Sequence, residues 1–225
     1  MQAFIVLIVL FSCFFSTTPY ASEIESKPVV VDVHLNKKYD DSRNAAVKIV
    51  TGFGHGTGTY VKVGKTYGIL TAAHVVDTAE LYIIEAGAYR TIATLLWKDE
   101  ESDVAFLVID KFDRLDPLKI ATARNVDVGD ELIYSGFPSM HQMLSFSCSV
   151  SNEDYNGMLV VHGYAWFGAS GSGFVDSRGK VVGVLSAVSV EDFYGHPQVI
   201  ETLVIAAPIL PRHIAAIKAS IGTIN

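Results

Sequence analysis

Cysteine is nearly absent from this chain. Of 225 residues only Cys13 and Cys148 carry thiols. Cys13 lies in an N-terminal apolar run, so removal of that run leaves one thiol and excludes an intrachain disulfide. The mature domain must be held by its core. Cys148 sits in the alternating segment Leu144–Val150 and reads as a small buried hydrophobe rather than a nucleophile. Basic charge is also scarce. The balance of 17 Lys and Arg against 24 Asp and Glu gives a net charge of -7, and the longest basic cluster is Lys37-Lys38. Phosphate binding needs clustered cations, so nucleic acid is excluded as the expected partner. Metal-ligand spacing is missing among His34, His55, His141, His162, His196 and His213, so neither a metal nor a cofactor is expected. His55, between Gly54 and Gly56, reads as loop surface. Hydrophobic residues make up 50% of the chain and charged residues 18%, enough to bury one sizeable core or two small ones.

A long membrane-crossing run is lacking too. The apolar stretch Ala3 to Phe15 is short of the roughly 20 residues that span a bilayer and suits the core of a secretory signal. Cleavage is expected near Ala21, giving a signal peptide over 1–21 and a secreted or periplasmic protein. No Lys or Arg precedes the run, and Pro19 fits poorly before a cut. An uncleaved anchor, which would tether the protein to a membrane, therefore stays open. So does a lipoprotein signal at Leu10-Phe11-Ser12-Cys13. Residues 22–44 are mostly polar and read as an N-terminal arm.

From Ala45 the pattern is one of many short strands, rich in Val, Ile, Tyr, Phe and Thr. They fall at Ala46–Val50, Thr59–Val63, Tyr67–Thr71, Leu81–Glu85, Thr91–Trp97, Val104–Ile109, Glu131–Tyr134, Leu144–Val150, Met158–Tyr164, Gly173–Asp176, Val181–Ser189 and Thr202–Ala206. Val63-Gly64-Lys65 and Ser177-Arg178-Gly179-Lys180 read as hairpin turns. Only the end looks helical, with Leu210, Ile214, Ile217 and Ile221 at helical spacing around Pro211. This is an all-β chain with a C-terminal helix, built as a barrel or sandwich. The lack of alternating helices excludes an α/β-hydrolase, and Ser172 stands where that fold's Gly-x-Ser-x-Gly elbow needs its second glycine.

Three segments carry chemistry. His74 follows a strand and two alanines, where small residues permit a tight turn. Asp103 opens the apolar run Val104–Ile109, where a carboxylate is partly shielded. Ser170 lies within Gly168-Ala169-Ser170-Gly171-Ser172-Gly173. A serine hydroxyl is a weak nucleophile that needs a base, and the base needs a third group to fix its tautomer. The order His, Asp, Ser supplies all three. The glycines allow the unusual dihedrals that aim successive N–H groups at one point, so Gly168 and Ser170 are the expected oxyanion donors. Ser172 is the rival nucleophile, and Asp99, in a charged run, the rival orienting residue.

With these residues the chain resembles the trypsin-like serine peptidases of the chymotrypsin fold, closest to compact bacterial forms (HtrA-like and glutamyl-endopeptidase-like catalytic domains). The resemblance covers about Ala45 to Ile217 and also rests on Gly56-Thr57-Gly58-Thr59, Ser135-Gly136-Phe137-Pro138 and Gly183-Val184-Leu185-Ser186. It implies two six-stranded antiparallel β-barrels (about 45–112 and 118–208), a C-terminal helix (about 209–221), and a triad in the cleft between the barrels. It implies a serine endopeptidase acting on protein or peptide substrate through an acyl-enzyme. In that pattern Ser186 contacts the catalytic Asp, and its strand pairs with substrate backbone.

The departures from the pattern are informative. Ala169 replaces the aspartate that captures a new N-terminus in digestive relatives, so no zymogen switch of that kind is expected. No PDZ module is expected after the peptidase region. Tyr164 stands where the specificity-pocket floor is expected and Val188 where a glycine often keeps the pocket open. Together they imply a pocket for small or apolar side chains rather than Arg or Lys. Ala165 and Leu185 lack the hydroxyl and the histidine that glutamyl specificity expects. A catalytically inactive protease-fold binding module is the alternative function, and a non-peptide hydrolase on another fold the more distant one.

Overall fold

The computed structural model describes residues 36–224 apart from 53, 77–80, 114, 123–125 and 155. The signal-peptide reading and most of the N-terminal arm lie outside the described residues.

Two closed antiparallel barrels form the fold. The first contains β1 (Ala46–Thr51), β2 (Gly54–Val63), β3 (Thr66–Thr71), β4 (Leu81–Ala86), β5 (Tyr89–Asp99) and β6 (Val104–Val108). Its order is β1-β2-β3-β6-β5-β4, closed by β1 against β4 through pairs such as Ile49 with Ile84. A short strand β7 (Lys119–Ile120) lies in the crossover to the second barrel. That barrel contains β8 (Glu131–Gly136), β9 (Leu144–Glu153), β10 (Leu159–His162), β11 (Gly173–Val175), β12 (Lys180–Phe193) and β13 (His196–Pro208). Its order is β11-β8-β9-β10-β13-β12, closed by β11 against β12, with β7 added parallel to β12. The expected fold class is therefore the one observed. Closure removes the exposed edges that an open sheet of this size would present.

The apolar runs face inward. Val104, Ala105, Phe106 and Leu107 are all fully buried, so β6 is covered on both faces, as its continuous hydrophobic pattern requires. Truncating Phe106 to alanine there would cost about 3–5 kcal/mol. Cys148, Tyr134, Phe174 and Val161 lie in the second core. Burial pushes the Cys148 thiol up to about 12, which suits a packing role. The C-terminal helix α2 (Pro211–Gly222) buries Ile217 against the first core, with Ile214 and Ile221 beside it.

Four elements depart from the sequence reading: the short β7, which it did not contain, helix α1, and strands β12 and β13. The arm contains a helix, α1 (Lys37–Ala45), capped by Asn36, whose side chain accepts from the Lys38 N–H. It lacks an apolar stripe because it docks through polar groups: Ser42 is buried and donates to Ser135 of β8, and Arg43 reaches Ser145 at 2.9 Å. Strands β12 and β13 also run well beyond the barrel as a long hairpin.

Candidate active site

Each expected catalytic group sits at the end of a strand or in a loop facing the gap between the barrels. β3 ends in Thr71, and the buried Ala72 and Ala73 let the chain turn into a single 3-10 turn that presents His74. Asp103 lies in the turn joining β5 to β6, with left-handed backbone (φ 53) that aspartate tolerates better than most residues. The imidazole Nδ1 of His74 lies 2.9 Å from Asp103 Oδ2 and 3.1 Å from Oδ1, and the His74 backbone N–H donates to Oδ1 at 2.9 Å. Ser186 of β12 donates its hydroxyl to Oδ2. Burial works to raise the Asp103 carboxyl, but the bonds from His74 and Ser186 outweigh it and hold it below the ordinary carboxylate value. An ionised Asp103 accepts only, so Nδ1 of His74 carries the proton and the neutral ring keeps Nε2 free as a base. Asp99 is engaged elsewhere, with Ser102 at 2.7 Å and His213 at 3.8 Å.

Ser170 sits in the loop between β10 and β11. Gly168 has φ +93 and Gly171 φ +86. A side chain at 168 would meet the Phe137 carbonyl at 2.5 Å and the His55 ring at 2.6 Å. One at 171 would meet Thr71 Oγ1 at 2.1 Å and the Thr57 carbonyl at 2.2 Å. Only glycine fits either position. Ser172 is fully buried, its hydroxyl bound to the Ala169 carbonyl at 2.7 Å, whereas Ser170 lines the cleft. The N–H groups of Ala169, Gly171 and Ser172 donate to Trp166, Leu185 and Ala169. Among the described residues no backbone acceptor takes the N–H of Gly168 or of Ser170. Two N–H groups of this loop, one of them that of Ser170 itself, are thus without a backbone acceptor.

A brace that sequence reading missed holds this loop. The Thr57 hydroxyl donates to the Gly168 carbonyl at 2.7 Å and accepts from the Phe137 N–H at 3.1 Å, while the Thr57 N–H donates to the Ser170 carbonyl at 2.8 Å. The Ser139 N–H donates to the Phe167 carbonyl at 2.5 Å. A trans peptide points its C=O and N–H in opposite directions, so this bond fixes where the Gly168 N–H points. His55 is not loop surface. It lies in β2, half-buried, with Nε2 2.7 Å from the Phe137 carbonyl, against Gly168. The Gly56-Thr57-Gly58-Thr59 motif was visible, but the contacts run to residues 80 or more positions away, which spacing does not reveal.

The cleft measures about 710 Å³ and is lined by His74, Ser170, Ser186, Val188 and Ala165 among others, with no Asp, Glu, Lys or Arg among its described lining residues. Tyr164 is not in that lining, contrary to its expected place at the pocket floor. Gly163 and Ala165 hydrogen-bond to β13, at Thr202 and Glu201. Ala165 lines the cleft, while the Tyr164 ring packs 5.4 Å from Phe146.

Two closed barrels with a histidine, an aspartate and a serine gathered between them define the architecture of a chymotrypsin-like peptidase fold. The family model for the trypsin-like peptidase domain matches residues 56–184, and the chain belongs to that family. Among curated relatives it is 27% identical over 145 residues to a probable periplasmic serine protease do/HhoA-like of Haemophilus influenzae, covering 60% of this chain and 31% of that protein. It is 28% identical over 145 residues to the periplasmic pH-dependent serine endoprotease DegQ of Escherichia coli, covering 60% and 31%. The chain thus matches about a third of the length of these relatives. Among solved structures, the serine endoprotease from Yersinia pestis aligns with TM-score 0.66 at 22% identity, over 85% of this chain and 68% of that one. The active form of the Rv3671c protease from M. tuberculosis aligns with TM-score 0.67 at 20% identity, over 83% and 85%.

Proposed function

We propose that this chain is a serine endopeptidase with His74, Asp103 and Ser170 as its catalytic triad. The observation that carries the reading is the His74–Asp103 contact facing the same cleft as Ser170, whose loop has two N–H groups without a backbone acceptor among the described residues. His74 Nε2 takes the Ser170 hydroxyl proton as Oγ attacks the scissile carbonyl, and Asp103 stabilises the imidazolium that forms. The tetrahedral oxyanion receives the N–H groups of Gly168 and Ser170, each such donor being worth roughly 3–4 kcal/mol to the transition state. The imidazolium then gives its proton to the leaving amine, and water repeats the sequence to release the acyl group.

The uncharged lining of the cleft supports a preference for small or apolar side chains before the scissile bond, set by Ala165, Leu185 and Val188 rather than by Tyr164. Ser186 has two roles: its hydroxyl steadies Asp103, and its strand offers backbone to the substrate. The peptidase domain spans about 45–225. Export follows from the apolar N-terminus and agrees with the periplasmic relatives. The inactive-module alternative is not favoured, because the family and the named relatives are those of serine proteases.

Turnover of a quenched fluorescent peptide library tests the reading. Cleavage after small or apolar residues, lost in Ser170→Ala, is expected. Dominant cleavage after Arg, Lys or Glu would overturn the specificity, and no cleavage by the wild type would overturn the activity.

A further inference from the structure

β12 and β13 continue beyond the barrel as a two-stranded arm, paired from Ser189 with Ile200 out to Phe193 with His196. The arm ends in a two-residue turn in which Tyr194 (φ 57) and Gly195 (φ 82) are both left-handed. That geometry matches the strands' twist, and Asp192 closes the turn by accepting from the Gly195 N–H at 2.5 Å. Tyrosine is an uncommon occupant of that conformation, and here it is fully exposed.

One edge of the arm is open. On the side away from β13, β12 pairs with β11 as far as Val184, and Leu185 bonds to Gly171 and Ser172. From Ser186 to Phe193 no strand covers that edge among the described residues. The open stretch starts at the residue that touches Asp103 and leads away from Ser170. Its eight or so residues, at about 3.3 Å each, make a template of about 26 Å. Val190 and Val199 are cross-strand partners, 58% and 44% exposed, and both line the cleft. An uncovered strand edge with exposed apolar side chains is ordinarily an aggregation hazard. Here it is continuous with the cleft that His74 and Ser170 line.

We infer that the arm is a docking strand for the part of the substrate beyond about the third residue before the scissile bond. The substrate adds to the open edge of β12 by backbone hydrogen bonds and sets apolar side chains against Val190 and Val199. This rests on the reading of Ser170 as nucleophile, which fixes where the scissile bond lies. Long, extended, apolar segments are then favoured over short peptides of the same cleavage sequence.

The test uses Ser170→Ala protein, which binds without cleaving, and fluorescence anisotropy with two labelled acyl-side peptides of about three and about eight residues that share a C-terminal sequence. The longer peptide should bind about tenfold or more tightly, which corresponds to about 1.4 kcal/mol. In Ser170→Ala combined with Val190→Ser and Val199→Ser, the ratio of long to short should fall toward one, with the short peptide as internal control. N-methylation at alternate residues of the longer peptide should abolish its advantage. Equal affinity of the two peptides would overturn the inference. So would a concentration-dependent dimer in sedimentation that the valine substitutions dissolve, which would assign the edge to a second copy. Fluorophosphonate labelling of the wild type separates the two readings. Length-dependent binding without labelling retires the catalytic reading and keeps the docking strand, and labelling without length dependence does the reverse.

Discussion

The hydroxyl of Thr57 donates to the carbonyl of Gly168 across the gap between the barrels, at 2.7 Å. Thr57 is fully buried on β2, and Gly168 opens the loop that carries Ser170. One side chain of the first barrel thus holds the shape of a loop in the second. Removing it in Thr57→Val leaves the Phe137 N–H and Gly168 carbonyl without that partner, a loss of about 1–3 kcal/mol. The expected result is a lower melting temperature and a kcat reduced about tenfold or more with KM little changed, because the oxyanion donors act mainly in the transition state. Thr57→Ser should recover most of both. Steady-state kinetics beside thermal melting checks this.

Glycine is required at 168 and 171 for different ends. Gly168→Ala strains a φ of +93 and drives a methyl into the Phe137 carbonyl and the His55 ring. Relief of that clash moves the Gly168 N–H, so kcat should fall by roughly 10²–10³ in a folded protein. Gly171→Ala strains φ +86 against Thr71 and Thr57, both buried. It should lower the melting temperature more than Gly168→Ala does. A Gly168→Ala enzyme of normal kcat would contradict the oxyanion assignment.

His213 gives the fold an acid sensitivity. It is 1% exposed, beside Trp97, and its Nδ1 accepts from the Leu210 N–H at the start of α2. Burial and the Arg212 charge push its pKa below the ordinary 6.5, with Asp99 opposing. The unfolded chain therefore binds a proton more readily than the folded one in the window below 6.5. Stability rises with pH through that window, and the cost is complete below the folded value. Melting temperature should fall between about pH 7 and pH 5, and the fall should flatten in His213→Asn, whose amide oxygen replaces the Nδ1 acceptor. Asp103 titrates below 3.8, so its loss lies outside this window.

Cys148 should be silent in the native state. It is buried, and burial pushes its thiol up to about 12. A thiol reagent should react with it only after denaturation. Rapid labelling of the native protein would mean that the second core opens readily.

Much of the site was legible because its chemistry is local. His74 is announced by a strand and two alanines, Asp103 by the buried run after it, and Ser170 by glycines that the packing at 168 and 171 explains. What was not legible is set by tertiary contact. Helix α1 has no apolar period, since it is held by an Asn36 cap, a Lys37–Asp41 ion pair and buried Ser42. His55 looked like loop because glycines flank it, yet β2 extends through it to Gly54 by pairing with β1. Tyr164 was assigned by position relative to Ser170, and its packing against Phe146, a contact between distant residues, is not something that position reveals.

The most direct test of the central claim is reaction of the folded protein with a fluorophosphonate, followed by peptide mapping. A single adduct on Ser170, abolished by Ser170→Ala, strongly slowed in His74→Ala and preserved in Ser172→Ala, is the predicted result. A wild-type protein that does not react, or an adduct on Ser172, would contradict it.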